Sequence, residues 1–328
     1  MKIAVVGLGA VGGLMAARLA LAGHEVRALA RGPTLAAVRS RGLRLVMAGV
    51  EAVVPIEVSD DAAALGPQDL VIAALKGPAL AAAAESMQAL LGPKTLVMPA
   101  MNGVPWWFLR DAPASPRLTD RTLASVDPGG RIAARLAQER VIGCVVHLTC
   151  SSPEPGLVRH GFGDRLIVGE PAGGGSARVD AISAALAQAG FMAEASTDIR
   201  RDIWYKLWGN MTMNPVSALT GAESHRIIDD PLVLAFMLGT MEEAARIGAQ
   251  IGCTITQSGE ERMAVARQLG AFKTSMLQDS LAGRPLEIDA LVSAVHEIGT
   301  RLGVAMPNIG ALLGLTRLMA RERGLYPA

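Results

Sequence analysis

The sequence lacks most of the marks that would place it in several common classes of protein. Aromatic residues make up only 3% of its 328 positions, too few and too scattered for a surface that stacks single-stranded nucleic acid. An excess of one charge is missing too: 31 Lys and Arg face 30 Asp and Glu, a formal net charge of +1. Such a balance leaves no electrostatic footprint for nucleic acid. Cysteine is scarce and odd in number. Cys144, Cys150 and Cys253 show no C-x-x-C spacing, so they read as reduced, mostly buried thiols of a cytoplasmic protein rather than a disulfide framework. The histidines His24, His147, His160, His225 and His296 form no H-E-x-x-H or paired-ligand pattern, and no metal site is expected. Long apolar runs are also absent. Although 51% of residues are hydrophobic and the mean hydropathy is +0.34, charged residues interrupt, or Gly, Pro and Asn dilute, every stretch approaching the roughly 18 residues of a membrane span. The apolar excess is Ala, Leu and Val. It suits a closely packed α/β and α-helical protein, long enough for two domains.

What is present begins at the first residue. Met1 to Gly13 reads MKIAVVGLGAVGG. The apolar run Ile3 to Val6 predicts a strand, and a helical stretch follows from Val11 to Leu21. Between them stand Gly7, Leu8, Gly9, Ala10, Val11 and Gly12, a G-x-G-x-x-G in strand–turn–helix context. Gly7 permits a tight turn, Gly9 lets a pyrophosphate approach the backbone, and Gly12 lets the helix pack close to the strand. The free amides at the helix start then face the phosphates. A second strand is expected at Glu25 to Leu29. The rival reading is a leader peptide, since Lys2 precedes a long uncharged stretch; the glycines break the apolar core that it would need. Enzymes that prefer NAD place Asp or Glu at the end of the second strand. Here the residues are Ala28, Leu29, Ala30 and Arg31. A guanidinium at that point can pair with a 2′-phosphate, which predicts NADP (NADPH).

Further strands are expected at Leu43 to Met47, Val53 to Val58, Asp69 to Leu75 and Thr95 to Met98, with a helix over Ala79 to Leu91. Lys76 and Asn102 then fall at the carboxyl ends of strands, where open α/β sheets bind ligands. Lys76 is a candidate on the cofactor side, and Asn102 for the nicotinamide or the substrate, although Asn-Gly is also a common turn pair. Trp106, Trp107 and Phe108 would either wall a pocket or serve packing or a subunit contact, which are commoner uses. From Asp111 to Arg140 the chain is rich in Pro, Gly and charge. Asp127-Pro128 looks like a helix cap leading into Arg131 to Gln138. Val141 to Thr149 and Arg165 to Val168 are expected to close the far edge of the sheet, joined through the turn SSPEPG. A helix over Asp180 to Ala189 and a strand over Phe191 to Ala195 complete a domain of residues 1–197.

All later periodicity is helical, which predicts a second domain of residues 198–328. Lys206, Asn210 and Asn214 lie four apart and share one helix face. An ammonium and two amides beside an apolar stripe are costly to bury unless paired, so the face reads either as a site or as an exposed polar surface. Helices are expected at Pro231 to Gln250, Gly259 to Leu269, from Pro285 onward, and at Asn308 to Arg321. Glu287 would fall in the first turn of the third, where a carboxylate complements the helix dipole. Ser275 lies in the intervening KTSMLQDSLAG.

Together these residues resemble the ketopantoate reductases (2-dehydropantoate 2-reductases) over nearly the whole chain. The resemblance rests on the glycine loop, the Asn-Gly pair at Asn102, the K-x3-N-x3-N-P helix at Lys206, Asn210 and Asn214-Pro215, the SMLQD segment at Ser275, and GRPLEID around Glu287. It implies an N-terminal Rossmann-type parallel sheet domain followed by an all-helical C-terminal domain. It also implies NADPH-dependent reduction of 2-dehydropantoate to pantoate on the route to pantothenate and coenzyme A. In that reading Lys206 is the general acid and Glu287 accepts from a substrate hydroxyl. Asn102, Asn210, Asn214 and Ser275 hold the small 2-oxo acid, while Arg31 and Lys76 hold the cofactor. Two features depart from the family pattern: Val104-Pro105-Trp106-Trp107 after Asn-Gly, and the long Pro-rich stretch around Asp111 to Arg131. The rivals are a reductase of another 2-oxo acid on the same scaffold and an NADP-sensing protein without turnover. The apolar, Met-rich helical domain makes a homodimer reasonable.

Overall fold

The apolar run that opens the sequence becomes a central strand. In the computed structural model, which describes residues 1–113, 115–268 and 270–327, the strands are β1 (Lys2–Val6), β2 (Glu25–Leu29), β3 (Leu43–Met47), β4 (Val50–Val54), β5 (Glu57–Ser59), β6 (Gln68–Ala73), β7 (Leu91–Pro99), β8 (Gly143–His147), β9 (Cys150–Glu154), β10 (Leu157–His160), β11 (Arg165–Gly169) and β12 (Met192–Ser196). One sheet runs β5-β2-β1-β6-β7, all parallel. This is the Rossmann-type order, in which the direction of strand addition reverses between β1 and β6. Parallel strands covered on both faces read as continuous apolar runs. Ile3, Ala4 and Val5 in β1 and Val71, Ile72 and Ala73 in β6 are accordingly fully buried.

The described residues divide into two units: Met1–Met101 with Gly130–Asp202, and Asn102–Gly129 with Ile203–Ala328. The segment 102–129, which the sequence places with the sheet domain, leaves the sheet after β7 and packs with the C-terminal helices.

The remaining strands of the first unit correct the sequence reading in three places. The expected strand Val53 to Val58 is two strands, split around Pro55. β4 pairs antiparallel with β3, whereas β5 joins the parallel sheet beside β2. The SSPEPG stretch is not just a turn. Its first residues form β9, which pairs antiparallel with β10, and β10 in turn pairs parallel with β3. Finally, β8 and β11 do not close the edge of the first sheet. With β12 they form a separate three-stranded sheet, reached from β7 through a single parallel bridge, Val97 to Val141. The helix Ala10–Leu21 lies in the middle of this unit, and its residues Leu14, Met15, Ala16, Ala17 and Leu19 belong to one core with side chains of all three sheets. Arg18 is carried into that core at 7% exposure. Its Nε donates to the Ala189 carbonyl at 2.9 Å, it pairs with Asp164, and it lies 3.8 Å from the centroid of the Phe191 ring. These partners offset the cost of burying a charge.

In the second unit the helices are Ile199–Thr220 (from Ile203), Ser224–Asp229, Pro231–Gln250, Gly259–Gln268, Ser275–Leu281, a π-turn Asp289–Ser293 continuing as Ala294–Leu302, and Pro307–Glu322. Leu269, the expected end of one helix, lies outside the described residues. The buried Glu243 carboxylate caps the start of Pro307–Glu322 by accepting from the Asn308 and Ile309 amides at 3.0 and 2.8 Å, and so satisfies donors that a helix start leaves open. Pro285 does not open a helix: residues 284–287 carry no regular secondary structure and helical geometry starts at Ile288. The helix expected over Arg131 to Gln138 shortens to Arg131–Arg135, with left-handed Gly130 rather than Asp127 at its cap. The helix expected over Ala79 to Leu91 is Gly77–Ser86 followed by a 3-10 turn, Met87–Leu90. No helix among the described residues is long and apolar enough to cross a membrane.

Candidate active site

One group of candidate residues sits on an edge built by register. Val6 pairs with Leu29 on one side and Ala73 on the other, so the carboxyl ends of β1, β2 and β6 are level. They deliver Gly7, Arg31 and Lys76 to one edge of the sheet. Gly7 adopts φ +95°, a region nearly closed to other residues. A Cβ there would also lie 2.6 Å from the Leu75 side chain. At Gly12 a Cβ would lie 2.0 Å from the Gly7 carbonyl oxygen, so the helix rests directly on the turn. At Gly9, by contrast, a Cβ would have no atom within 4 Å. Gly9 is exposed, caps the helix Ala10–Leu21, and offers no side chain to its first amides. The amides of Ala10, Val11 and Gly12 therefore start the helix without an intrahelical acceptor, beside open space. That is the arrangement a pyrophosphate requires, and the glycine loop fits a dinucleotide.

Arg31 stands where the chain leaves β2 and caps the helix Gly32–Arg41. It is exposed, and its Nη2 donates to Ser86 Oγ at 3.3 Å. Ser86 closes the helix that follows β6, so the guanidinium reaches from one βα connection to the next. Lys76 is half-buried at the cap of that same helix, Gly77–Ser86. No carboxylate occupies the end of β2.

A second group of candidate residues lies within the helical unit. Lys206 Nζ donates to Asn102 Oδ1 at 2.8 Å. The face carrying Lys206, Asn210 and Asn214 is not an exposed polar surface: Lys206 and Asn210 are half-buried and Asn214 is 5% exposed. Asn214 Nδ2 points to Ser275 Oγ at 3.5 Å. Ser275 is the first residue of the helix Ser275–Leu281, capped by Thr274, and not the loop serine of the sequence reading. Glu287 is half-buried and precedes its helix instead of lying in the first turn.

Two further features hold this second group together. Gly103 has φ +85°, and a Cβ on it would lie 2.4 Å from the Ala290 carbonyl oxygen. That carbonyl accepts from the Val104 amide at 2.8 Å. Ala290 belongs to the π-turn Asp289–Ser293, a local widening often found at functional sites. Asn102 is thus fixed on one side by Lys206 and on the other by a loop seated on the segment that bears Glu287. The Asn-Gly pair was the available signal, but it reads equally as a plain turn.

Trp106, Trp107 and Phe108 are 5%, 3% and 0% exposed. Phe108 stacks on Trp204 with centroids 5.9 Å apart, so the triplet is packing. Burial pushes the Cys150 thiol up to about 12. Among the described residues no group of His, Cys, Asp and Glu could hold a metal.

A parallel sheet with an uncapped glycine-rich turn, joined in one chain to a helical unit with a lysine held by an amide, defines a class: the oxidoreductases that interconvert a carbonyl and an alcohol. Comparison with known proteins narrows it. Residues 3–106 match the family model "Ketopantoate reductase PanE/ApbA" and residues 198–320 its C-terminal counterpart. A 2-dehydropantoate 2-reductase of Mesorhizobium japonicum is 43% identical over 99% of this chain and 100% of its own. One from Halobacterium salinarum is 27% identical over 98% and 100%. Among solved structures, a PanE/ApbA family ketopantoate reductase from Ralstonia eutropha superposes with a TM-score of 0.84 at 28% identity, covering 99% of this chain and 100% of that one. The chain belongs to the ketopantoate reductase family.

Proposed function

We propose that this chain reduces 2-dehydropantoate to pantoate with NADPH, as a step toward pantothenate and coenzyme A, and that Lys206 is the general acid. The observation that carries the reading is the 2.8 Å hydrogen bond from Lys206 Nζ to Asn102 Oδ1. An amide oxygen orients an ammonium without neutralising it. That bond sets the direction of the Lys206 side chain. When bound, NADPH supplies a hydride to the ketone carbon of the 2-oxo acid. Lys206 hydrogen-bonds the ketone oxygen as negative charge develops there and transfers a proton to it, so C=O becomes CH–OH and the neutral amine takes a proton back from solvent. Asn210 and Asn214 orient the substrate along the helix face, and Ser275 donates to its carboxylate. Glu287 accepts from the 4-hydroxyl. Holding the reactants at near-attack distance provides much of the rate.

The choice of NADPH is supported by Arg31 and by the absence of Asp or Glu at the end of β2, where either would accept from an unphosphorylated ribose. The choice of 2-dehydropantoate is supported by the names of the relatives. The test is Lys206→Ala. General acids of this kind contribute about 10²–10⁴-fold, so kcat should fall by at least roughly 100-fold while NADPH still binds. Near-normal turnover in that variant removes Lys206 from the proton-donor role.

A further inference from the structure

Glu287 precedes its helix, since helical geometry begins one residue later. Its neighbours on both sides are nevertheless fixed by the residues that follow the helix Pro307–Glu322. Before it, the Leu286 amide donates to the Leu325 carbonyl at 2.9 Å; both side chains are buried, at 4% exposure each. After it, Asp289 Oδ1 accepts from Tyr326 Oη at 2.5 Å and from Ser293 Oγ at 2.9 Å. Arg317 closes the network: its Nη2 donates to Ser293 Oγ at 2.9 Å, lies 3.7 Å from Asp289 Oδ1, and its guanidinium sits 6.0 Å from the Tyr326 ring centroid. Arg321 stands near the same ring, 5.8 Å from its centroid.

A first-turn carboxylate that merely complemented a helix dipole would need none of this. Asp289 instead accepts from a hydroxyl of its own helix and from one of the segment beyond the helix Pro307–Glu322, and pairs with a guanidinium of that helix. The next residue, Ala290, carries the carbonyl that holds Val104. One short stretch is therefore pinned to the 325–326 segment and to the Asn102–Val104 loop at once, with Glu287 between the pins.

We propose that Leu325 and Tyr326 form a clamp that sets the position of Glu287, with Tyr326 acting through Asp289 as a positioning residue for selection of the substrate hydroxyl. The proposal rests on the assignment of Glu287 to that hydroxyl. Tyr326 touches neither substrate nor cofactor in this account. Its contribution is to make the Glu287 contact available without an ordering cost at each binding event.

The experiment compares 2-dehydropantoate with 3,3-dimethyl-2-oxobutanoate, which has the same branched 2-oxo acid skeleton without the hydroxyl. Both are reduced by the wild type, Glu287→Gln, Tyr326→Phe and the double variant, with NADPH affinity and Tm measured alongside. Glu287→Gln should lower the ratio of the two kcat/KM values. Tyr326→Phe keeps the ring and loses only the hydroxyl. It should lower the same ratio roughly tenfold, the scale of one hydrogen bond to a charged group. The loss should fall on the KM for 2-dehydropantoate, and kcat/KM for the deoxy analogue should change less than about twofold. The double variant should lose no more discrimination than Glu287→Gln alone, because both changes act on one contact. If Glu287→Gln leaves the ratio unchanged, the assignment of Glu287 to the hydroxyl is wrong and the clamp falls with it. If Glu287→Gln lowers the ratio while Tyr326→Phe does not, or Tyr326→Phe depresses both substrates equally, the assignment stands and the clamp is refuted.

Discussion

Two alanine substitutions three residues apart separate fold from ligand at the glycine turn. In Gly12→Ala the new Cβ would stand 2.0 Å from the Gly7 carbonyl oxygen and 2.8 Å from the Ala74 Cβ. Backbone is on one side and a packed strand end on the other, so the helix Ala10–Leu21 must move away from the core it anchors. Overpacking of that kind costs about 2–3 kcal/mol, or roughly 5–10 °C in Tm for a domain of this size. In Gly9→Ala the Cβ meets no atom within 4 Å, and φ of −73° is open to alanine. The free protein loses only the small advantage of glycine over alanine at a cap, about 0.5–1 kcal/mol. The methyl group would stand where a pyrophosphate must approach, however. Losing one charge-assisted bond from the helix amides costs about 1.5–3 kcal/mol, which is roughly 10–100-fold in NADPH affinity. Thermal unfolding without cofactor and titration of NADPH fluorescence measure the two effects separately. Gly9→Ala that binds NADPH like the wild type, or that unfolds as early as Gly12→Ala, would show that the space over Gly9 is not the phosphate site.

Arg31→Ala should raise the KM for NADPH by about tenfold or more, the worth of a charge-assisted pair, and should leave NADH nearly unaffected. An unchanged NADPH/NADH preference in steady-state kinetics would take Arg31 out of the cofactor site. Away from the site, Glu170 at the end of β11 accepts from Arg178 Nε at 2.7 Å and also from Ser176. The Arg178 hydrogen bond lowers the Glu170 pKa below its usual 4.5 against the opposing effect of burial. A lowered carboxylate contributes stability above its unfolded value and loses it as pH falls through the folded one. Arg178→Ala should therefore destabilise the protein at neutral pH, and the difference from wild type should shrink as pH falls below about 4.5; a constant difference in urea midpoint from pH 7 to 3 would contradict this.

The elements read correctly from sequence are those whose local pattern and tertiary environment agree. β2, β3 and the helix Pro231–Gln250 have the predicted bounds, because a buried strand or a capped amphipathic helix writes its burial into consecutive residues. β9 was missed because Cys-Ser-Ser-Pro-Glu has the composition of a turn. It is a strand only by virtue of its pairing with β10, and its proline is tolerated because β9 is an edge of its sheet. Proline misled the reading at Pro285, too. The rule that proline opens helices yields there to a distant contact, the Leu286 amide bonded to Leu325. The same limit governs the site. Spacing alone places Lys206, Asn210 and Asn214 on one face. It cannot supply the acceptor for Lys206, which lies 104 residues earlier in the chain, nor the π-turn that seats Gly103.

The aromatic triplet changes meaning once its surroundings are known. After Asn-Gly the sequence departs from its family at Val104-Pro105-Trp106-Trp107, which on the sequence alone put the pocket wall, and hence the substrate, in question. Those side chains are buried in packing, and Phe108 stacks on Trp204. Trp204 and Lys206 are two residues apart on the helix Ile199–Thr220, about 200° around its axis, so they stand on nearly opposite faces. The segment from Asn102 to Phe108 touches both, Asn102 through the lysine ammonium and Phe108 through the indole. It therefore passes around the helix and grips it from two sides. What Phe108 holds against the helix is the stretch that brings Asn102 to Lys206, the proposed proton donor, rather than a residue proposed to select among 2-oxo acids. Selection is left to the residues that face the substrate beyond its carbonyl, and in this reading that places it at Glu287 and the segment that holds it.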